Sequence, residues 1–282
     1  MWFNMQMIDS SRFVKWAGGK QQLIEQFKHL FPKKFNNYCE PFVGSGAVAF
    51  YIIQKFNPQN VLLSDVNAEL INAFNIIKSD VKNLIVKLKQ HKMSHLAIRE
   101  KYYYKIRSIN PNELSDLERA ARFIYLNKTC FNGLYRVNSK DGFNVPMGSY
   151  KNPDIVQEEK MKRISNLLKN VNLEVMSFEK IVDIAKEGDF IYLDPPYFPL
   201  KKGKSFTTYA KNNFLEKEQR LLADTFKKLD KKGCLCMESN SNTEFIKNLY
   251  NDFNISFVKA KRLINSDAQG RGEIKEVVIT NY

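Results

Sequence analysis

The sequence predicts an α/β protein with a doubly wound, mostly parallel sheet that is interrupted by an inserted, mainly helical segment. Apolar runs of strand and helix periodicity alternate before residue 80 and again after residue 170. A glycine-rich turn joins the first strand to its helix. We therefore expect one domain formed by residues 1–80 and 171–282, split by residues 81–170, a segment large enough to form its own small module.

The first half follows the order helix, strand, glycine turn, helix, strand and helix. This order is typical of parallel sheets, because parallel strands need a crossover connection. The predicted elements are a helix at 23–31 that stops at Pro32, a strand that ends near Val43, a helix at 47–56, a strand at 61–64 that ends at Asp65, and a helix at 67–78.

The inserted segment has a different character. Residues 82–127 predict mostly helices with many exposed lysines, and the Gly- and Asn-rich residues 131–150 predict a hairpin or a folded loop. The α/β alternation then resumes. Its predicted elements are strands at 173–176, 190–193, 234–238, 255–258 and 276–280, and helices at 178–185, 215–229 and 243–250.

Composition excludes several classes of protein. Hydrophobic residues make up 44% and charged residues 26% of the 282 residues, which is typical of a globular chain rather than a disordered one. Apolar runs stay short of the roughly 18 residues that span a membrane, and the first residues lack signal-peptide order, so we expect a cytoplasmic protein. Four irregularly spaced cysteines and three histidines argue against a disulfide framework and a zinc site, and we expect no metal.

The charge balance indicates a polyanionic partner. Lysine and arginine total 44 against 30 acidic residues, a net charge of +14. Such an excess concentrates polyanions near the surface, and nucleic acid is the leading candidate. A generically lysine-rich protein would show the same balance.

The glycine turn predicts a nucleotide site. Residues 40–49 (EPFVGSGAVA) fit the glycine fingerprint, in which Gly44 and Gly46 let the backbone approach a ligand. Asp65 follows at the spacing of a carboxylate that accepts both hydroxyls of a ribose. NAD, FAD and S-adenosylmethionine all satisfy this pattern. A tight turn with Asp65 as a helix cap is the structural alternative.

The tetrapeptide Asp194, Pro195, Pro196 and Tyr197 stands where the predicted strand 190–193 ends, the edge at which open α/β sheets bind ligands. A carboxylate and an outward-facing proline carbonyl can accept the two hydrogens of an aromatic amine and so make its nitrogen more nucleophilic. Tyr197 offers a ring on which an extruded base can stack. These residues predict methyl transfer to adenine N6, although such a tetrapeptide can also be a simple turn.

Together the motifs resemble the Dam-type (class alpha) adenine-N6 DNA methyltransferases, including the GATC restriction-modification methylases. The resemblance runs from Lys15 to the end of the chain through an ordered set: KWAGGK at 15–20, EPFVGSG at 40–46, the insertion, and DPPY at 194–197. It implies a Rossmann-like methyltransferase sheet and S-adenosylmethionine as cofactor. The residues implied at the cofactor are Trp16, Lys20, Phe42, Gly44, Gly46, Asp65, Phe178 and Asp194. Many members have Asp where this chain has Ser177, before Phe178.

The resemblance also implies that residues 131–150 form a hairpin that reads GATC in double-stranded DNA. Arg136 and Lys15 would contact guanines, Leu134 and Pro146 a thymine methyl, and Phe131 and Asn132 the space left by the flipped adenine. A structural hairpin with a tight turn at residues 132–133 and Arg136 on a phosphate is the alternative.

Other readings of the same residues are an RNA adenine methyltransferase and a noncatalytic nucleic-acid binder. Two basic stretches, residues 200–213 and 261–272, are expected to hold phosphates. One chain has all the parts that one target requires, so we expect a monomer, with a dimer on DNA left open.

Overall fold

A computed structural model describes residues 12–138, 142–200, 214–261 and 273–282. Within these ranges the chain forms a single seven-stranded sheet. Its strands are β1 (Tyr38–Glu40), β2 (Val61–Asp65), β3 (Val171–Val175), β4 (Phe190–Leu193), β5 (Leu235–Ser241), β6 (Asn254–Lys261) and β7 (Glu273–Thr280).

Helices connect and flank these strands. They are α1 (Ile24–Phe27), α2 (Ala47–Phe56), α3 (Ala68–Ser108), α4 (Asp116–Thr129), α5 (Glu158–Leu167), α6 (Ile181–Ile184), α7 (Glu216–Lys231) and α8 (Glu244–Leu249). Short 3-10 helices at Lys20–Leu23, Pro111–Glu113, Phe131–Gly133 and Phe178–Lys180 complete the described elements. None of the described helices is both long enough and apolar enough to cross a membrane.

The sheet has the strand order β3-β2-β1-β4-β5-β7-β6. Strands β1 to β5 pair in parallel, and β7 runs antiparallel to both of its neighbours, β5 and β6. The predicted mostly parallel sheet is therefore confirmed. The chain moves outward in one direction from β1 to β3 and in the other direction from β4, so a crevice forms beyond the carboxyl ends of β1 and β4.

Helices cover both faces of the sheet, which confirms the doubly wound arrangement. Alternate side chains of β4 enter different cores, because successive residues of a strand point to opposite faces. Phe190 and Tyr192 pack with residues of α2, α3 and α4, whereas Ile191 and Leu193 pack with residues of α6, α7 and α8. The first of these cores also contains side chains from the inserted segment, such as Tyr125, so insertion and sheet share buried surface.

Several predicted boundaries were wrong: the helix expected at 23–31 ends at Phe27, and two other differences have a clear cause. The first strand ends at Glu40 rather than near Val43, because Pro41 has no amide with which to continue the ladder. The helix expected at 67–78 continues to Ser108, with non-helical backbone at Asp80 and at residues 98–99. Residues 68–108 contain neither glycine nor proline, and buried apolar side chains recur beyond residue 78, which explains the continuation.

The segment after α4 is a folded loop rather than a regular hairpin. Two isolated antiparallel bridges, Cys130 to Met147 and Val137 to Phe143, hold its sides together, and residues 139–141 lie outside the described part. Helix α5 was not predicted. Its buried Met161 and Ile164, followed by Leu168, have the spacing of an amphipathic helix and were the available signal.

Candidate active site

The glycine turn lies at the carboxyl end of β1, and the segment 15–20 packs against it through Trp16. Gly44 has φ +47° and Gly46 has φ +76°, a backbone region that strongly favours glycine. A Cβ on Gly44 would lie 2.8 Å from Cδ1 of Trp16. The structure therefore brings together the segment 15–20 and the glycine turn, because only a residue without a side chain lets the Trp16 ring come this close.

Asp65 stands beside this turn at the end of the neighbouring strand β2. Its carboxylate accepts hydrogen bonds from the amide of Gly44 (3.3 Å) and from the amide of Asn67 (2.9 Å). Burial raises the pKa of Asp65 to about 6, against the lowering effect of these amides. The cap of α3 is Asn67, whose side chain accepts from the amide of Leu70, so the alternative in which Asp65 caps the helix is wrong.

Three aromatic rings gather on the other side of the turn. The rings of Phe42 and Phe178 stack at 5.3 Å between centroids, and Phe214 lies 5.8 Å from each of them. Phe178 is buried and Phe42 is half-buried. Phe214 was missed by the sequence analysis, since it belongs to no motif and stands just before α7.

Asp194 follows β4, on the opposite side of β1 from Asp65. Its carboxylate forms an ion pair with Lys20, with 2.5 Å between Oδ1 and Nζ, and the two side chains are only 18% and 5% exposed. Burial raises the pKa of Asp194 to about 6, and the nearby positive charge of Lys20 opposes that rise. Lys20 also donates to the carbonyl of Gly18 (2.8 Å) and lies 4.6 Å from the ring centroid of Tyr197.

Side chains from other elements hold the tetrapeptide in place. Gln219 of α7 donates to the Pro196 carbonyl (2.9 Å), and Tyr197 donates from its hydroxyl to Glu276 of β7 (2.8 Å). The Pro195 carbonyl accepts a hydrogen bond from no residue in the described ranges, in contrast to its neighbour. Pro195 is therefore the member of the pair whose carbonyl remains available for a ligand.

A buried polar network extends behind Gln219. Its side-chain oxygen accepts from Asn240 (2.9 Å), and Asn240 also donates to Glu238 (2.9 Å), which accepts from the Tyr250 hydroxyl (2.5 Å). Burial raises the pKa of Glu238 to about 7, despite these hydrogen bonds. This network was not predicted from the sequence, although a polar run at the end of a buried strand, residues 238–241, was an available signal.

The 3-10 turn after α4 faces outward. Asn132 and Gly133 both have positive φ, 54° and 64°, and the amide of Leu134 bonds to the carbonyl of Phe131 (3.2 Å). The tight turn at residues 132–133, which belongs to the structural alternative, is therefore present, whereas the DNA contacts expected of residues 131–132 stay a prediction. Phe131 is 50% exposed, and Pro146 on the other side of the loop is exposed too.

Two cations at this loop have defined positions. Nε of Arg136 donates to the side-chain oxygen of Asn144 (2.6 Å), and the Asn144 amide bonds to the Arg136 carbonyl (3.1 Å). Nζ of Lys15 lies 3.6 Å from the centroid of the Tyr150 ring. Asn144 and Tyr150 had no assigned role in the sequence analysis, and no local motif marks them.

A cleft of about 300 Å³ opens between residues 12–17 and the turn at residues 132–134. The charged side chains among its described lining residues are all basic. Arg12, Lys15, Lys128 and Lys160 line it together with Gln157. Lys128 is 6% exposed and donates to Gln157 (3.0 Å). Burial lowers the pKa of Lys128 to about 8, and the neighbouring cations also lower it, whereas the carboxylate of Asp154 opposes the shift.

Two predicted phosphate-holding stretches cannot be placed. Residues 201–213 and 262–272 lie outside the described part of the chain. The proposed roles of their lysines and arginines therefore stay predictions.

The chain matches known proteins along nearly its whole length. The family described as "D12 class N6 adenine-specific DNA methyltransferase" matches residues 16–264. Type II methyltransferase M.MjaIII of Methanocaldococcus jannaschii is 44% identical, over 96% of this chain and 98% of its own length. Type II methyltransferase M1.LlaDCHI of Lactococcus lactis subsp. cremoris is 43% identical, over 96% and 95%. A DNA adenine methylase of Haemophilus influenzae is 37% identical, over 94% and 92%.

Proposed function

Because this chain belongs to the D12 class of N6 adenine-specific DNA methyltransferases, we propose that it uses S-adenosylmethionine to methylate adenine within GATC, after flipping that base out of duplex DNA. One observation carries the proposal. Within the segment 15–20, Trp16 contacts Gly44 and Lys20 forms an ion pair with Asp194. A single stretch of chain therefore connects the glycine turn to the tetrapeptide.

The residues around the turn fit the cofactor. Gly44 and Gly46 present bare backbone. The Asp65 carboxylate has about four lone-pair sites, so acceptor sites remain for the hydroxyls of a ribose beside the amides that it already accepts. We assign Trp16 to the methionine end and Phe42 and Phe178 to the adenine ring. S-adenosylmethionine, when bound, supplies a methyl group on a positively charged sulfur.

The tetrapeptide suits the adenine amine. Asp194 and the Pro195 carbonyl each accept one N6 hydrogen in this proposal, which localises the nitrogen lone pair toward the methyl group. With a pKa of about 6, Asp194 is mainly ionised at neutral pH and so accepts rather than donates a hydrogen bond. The ring of Tyr197 stacks on the extruded base, and Glu276 holds that ring through the hydroxyl.

The inserted residues 81–170 supply target recognition in this proposal. Arg136 binds one guanine, and Asn144 fixes the direction of its guanidinium. Lys15 reaches the outer guanine, and Leu134 and Pro146 contact a thymine methyl.

The exposed Phe131 and Asn132 occupy the space that the flipped adenine leaves. The basic cleft beside them supports binding of the DNA backbone, because four cations converge among its described lining residues. One such set of residues serves one target, so we propose that a monomer is the catalytic unit.

A transfer assay with matched duplexes tests the proposal. The protein is incubated with S-adenosylmethionine labelled on the methyl group and with duplexes that contain GATC, GATC already methylated on both strands, or GATC with one base pair changed. We expect label only in the unmethylated GATC duplex, recovered as N6-methyldeoxyadenosine after digestion to nucleosides. Equal label in every duplex would refute GATC selectivity alone, and label on cytosine would refute the assignment of the amine.

A further inference from the structure

We propose that Asn127 is a positioning residue that couples DNA reading to cofactor binding. Asn127 lies in α4 and is 1% exposed, and it belongs to none of the motifs that predict the site. It ties the backbone of Lys15 to the turn at Gly133, and Lys15 begins the segment that covers the cofactor site. This inference rests on the proposed function, because Lys15 and the turn are the DNA-reading parts in that proposal.

Both ends of the Asn127 amide are used. Its Oδ1 accepts from the Lys15 amide (2.7 Å), and its Nδ2 donates to the Lys15 carbonyl (2.8 Å) and to the Gly133 carbonyl (3.0 Å). The side chain thus pairs with Lys15 as a neighbouring strand would, and it holds the turn with its second hydrogen. An asparagine supplies the acceptor and both donors at once, whereas aspartate lacks the donors and serine is shorter.

These hydrogen bonds bring Lys15 and the turn at Gly133 into direct contact. A Cβ on Gly133 would lie 2.4 Å from the Cβ of Lys15, so no side chain fits between them. The ammonium of Lys15 then extends to the Tyr150 ring on the far side of the loop. Any shift of the Lys15 backbone therefore changes both the position of its ammonium and the position of the turn at Gly133.

The same shift reaches the cofactor side within a few residues. Trp16, the residue after Lys15, contacts Gly44. Its ring also stacks on that of Tyr135, in the loop after α4, at 5.9 Å between centroids. Lys20 ends the segment in its ion pair with Asp194. DNA that fixes the position of the loop should consequently fix the positions of Trp16 and Lys20 as well. A bound cofactor should in turn favour the position in which Lys15 contacts DNA, since coupling between two ligands is reciprocal.

The test compares binding of S-adenosylhomocysteine, an unreactive cofactor product, in the presence and absence of duplex DNA. In the unsubstituted protein we expect a GATC duplex to tighten its binding more than a duplex without GATC. In Asn127→Ser, which loses these contacts, this extra tightening should fall roughly tenfold or more, as expected for the loss of three hydrogen bonds. If Asn127→Ser does not fold, Asn127→Asp, which keeps the volume and the acceptor but lacks both donors, undergoes the same measurement.

Asn72→Ala is the matched control. The Asn72 amide also donates to a backbone carbonyl, that of Asp116 (2.9 Å), but it joins α3 to the start of α4 outside the site. We expect this variant to keep the full coupling. Unchanged coupling in both Asn127 variants, or equal loss in Asn72→Ala, would overturn the positioning role.

A double substitution separates positioning from general stability. Discrimination at the outer guanine should fall in Lys15→Ala, and adding Asn127→Ser should cost little more, because both act through the same ammonium. Additive losses would overturn the inference. Methyl transfer to adenine in DNA by the unsubstituted protein is measured in parallel, so its absence would refute the proposed function, whereas its presence without coupling would refute this inference alone.

Discussion

Replacement of Lys20 by methionine should move the acidic limb of the pH-rate profile upward. The ion pair to be removed joins two buried groups, Lys20 and Asp194, at 2.5 Å. Asp194 has a pKa of about 6 with that positive charge beside it, and an adjacent opposite charge typically lowers a carboxyl pKa by about 1 to 3 units. Without Lys20 we therefore expect the limb at roughly pH 7 to 9.

The sign follows from the protonation state. Below its pKa the carboxyl of Asp194 carries a proton and donates a hydrogen bond, so it cannot accept one from the adenine amine. In the unsubstituted protein roughly nine-tenths of the carboxyl is ionised at pH 7, and in Lys20→Met the ionised fraction should be about half or less. Transfer should therefore slow at neutral pH and recover in alkaline buffer.

The assay measures kcat/KM for methyl transfer to a GATC duplex from about pH 5 to about pH 9. Lys247→Met is the control, since that lysine forms an ion pair of similar length with Glu244 on α8, away from the site. An unchanged acidic limb in Lys20→Met would refute the effect of Lys20 on Asp194. Equal loss at every pH, with weaker cofactor binding, would show that Lys20 acts only through the cofactor and does not set the pKa of Asp194.

Three further substitutions test other parts of the site. Gly44→Ala forces a side chain into backbone with φ +47° and to 2.8 Å from Trp16, so calorimetry should show a lower Tm and weaker S-adenosylmethionine binding; unchanged values would contradict the close contact. Arg136→Ala should relax selectivity at one guanine by about 1 to 3 kcal/mol in competition assays, whereas uniform weakening on all duplexes would place this residue on a phosphate. In the folded protein Glu238 has a pKa of about 7, which is above its value in the unfolded chain. Its contribution to the free energy of unfolding is therefore complete at acidic pH and is lost as the pH rises through 7. Denaturant unfolding at several pH values should show a flatter pH dependence for Glu238→Gln, and an equally steep one would refute the raised pKa.

The residues nearest the chemistry could be predicted from sequence because they belong to short motifs at strand ends. Gly44 and Asp194 follow recognisable strands and Asp65 is the last residue of another, and parallel strands bring their carboxyl ends to one edge. That rule places them together without any knowledge of side-chain contacts. The element bounds that failed, at Glu40 and after residue 78, depended on where pairing or helix formation stops, which local patterns mark poorly.

The supporting side chains could not be predicted in this way. Gln219, Asn240 and Glu276 come from three elements that follow the tetrapeptide at different distances along the chain, and they meet only when the sheet forms. Asn127 lies more than a hundred residues from Lys15, and its amide is buried in a helix that reads as ordinary amphipathic sequence. Hydrogen bonds between such distant residues leave no local spacing signal.

The Asp194→Asn variant tests whether Asp194 acts on the adenine amine. Asparagine keeps the size of the side chain but offers an amide in place of a charged acceptor. Labelled methyl transfer to a GATC duplex should slow by about a hundredfold or more, while S-adenosylmethionine binding in equilibrium dialysis stays close to that of the unsubstituted protein. Loss of cofactor binding in proportion to activity, or transfer at the normal rate, would contradict the role of this carboxylate at the amine.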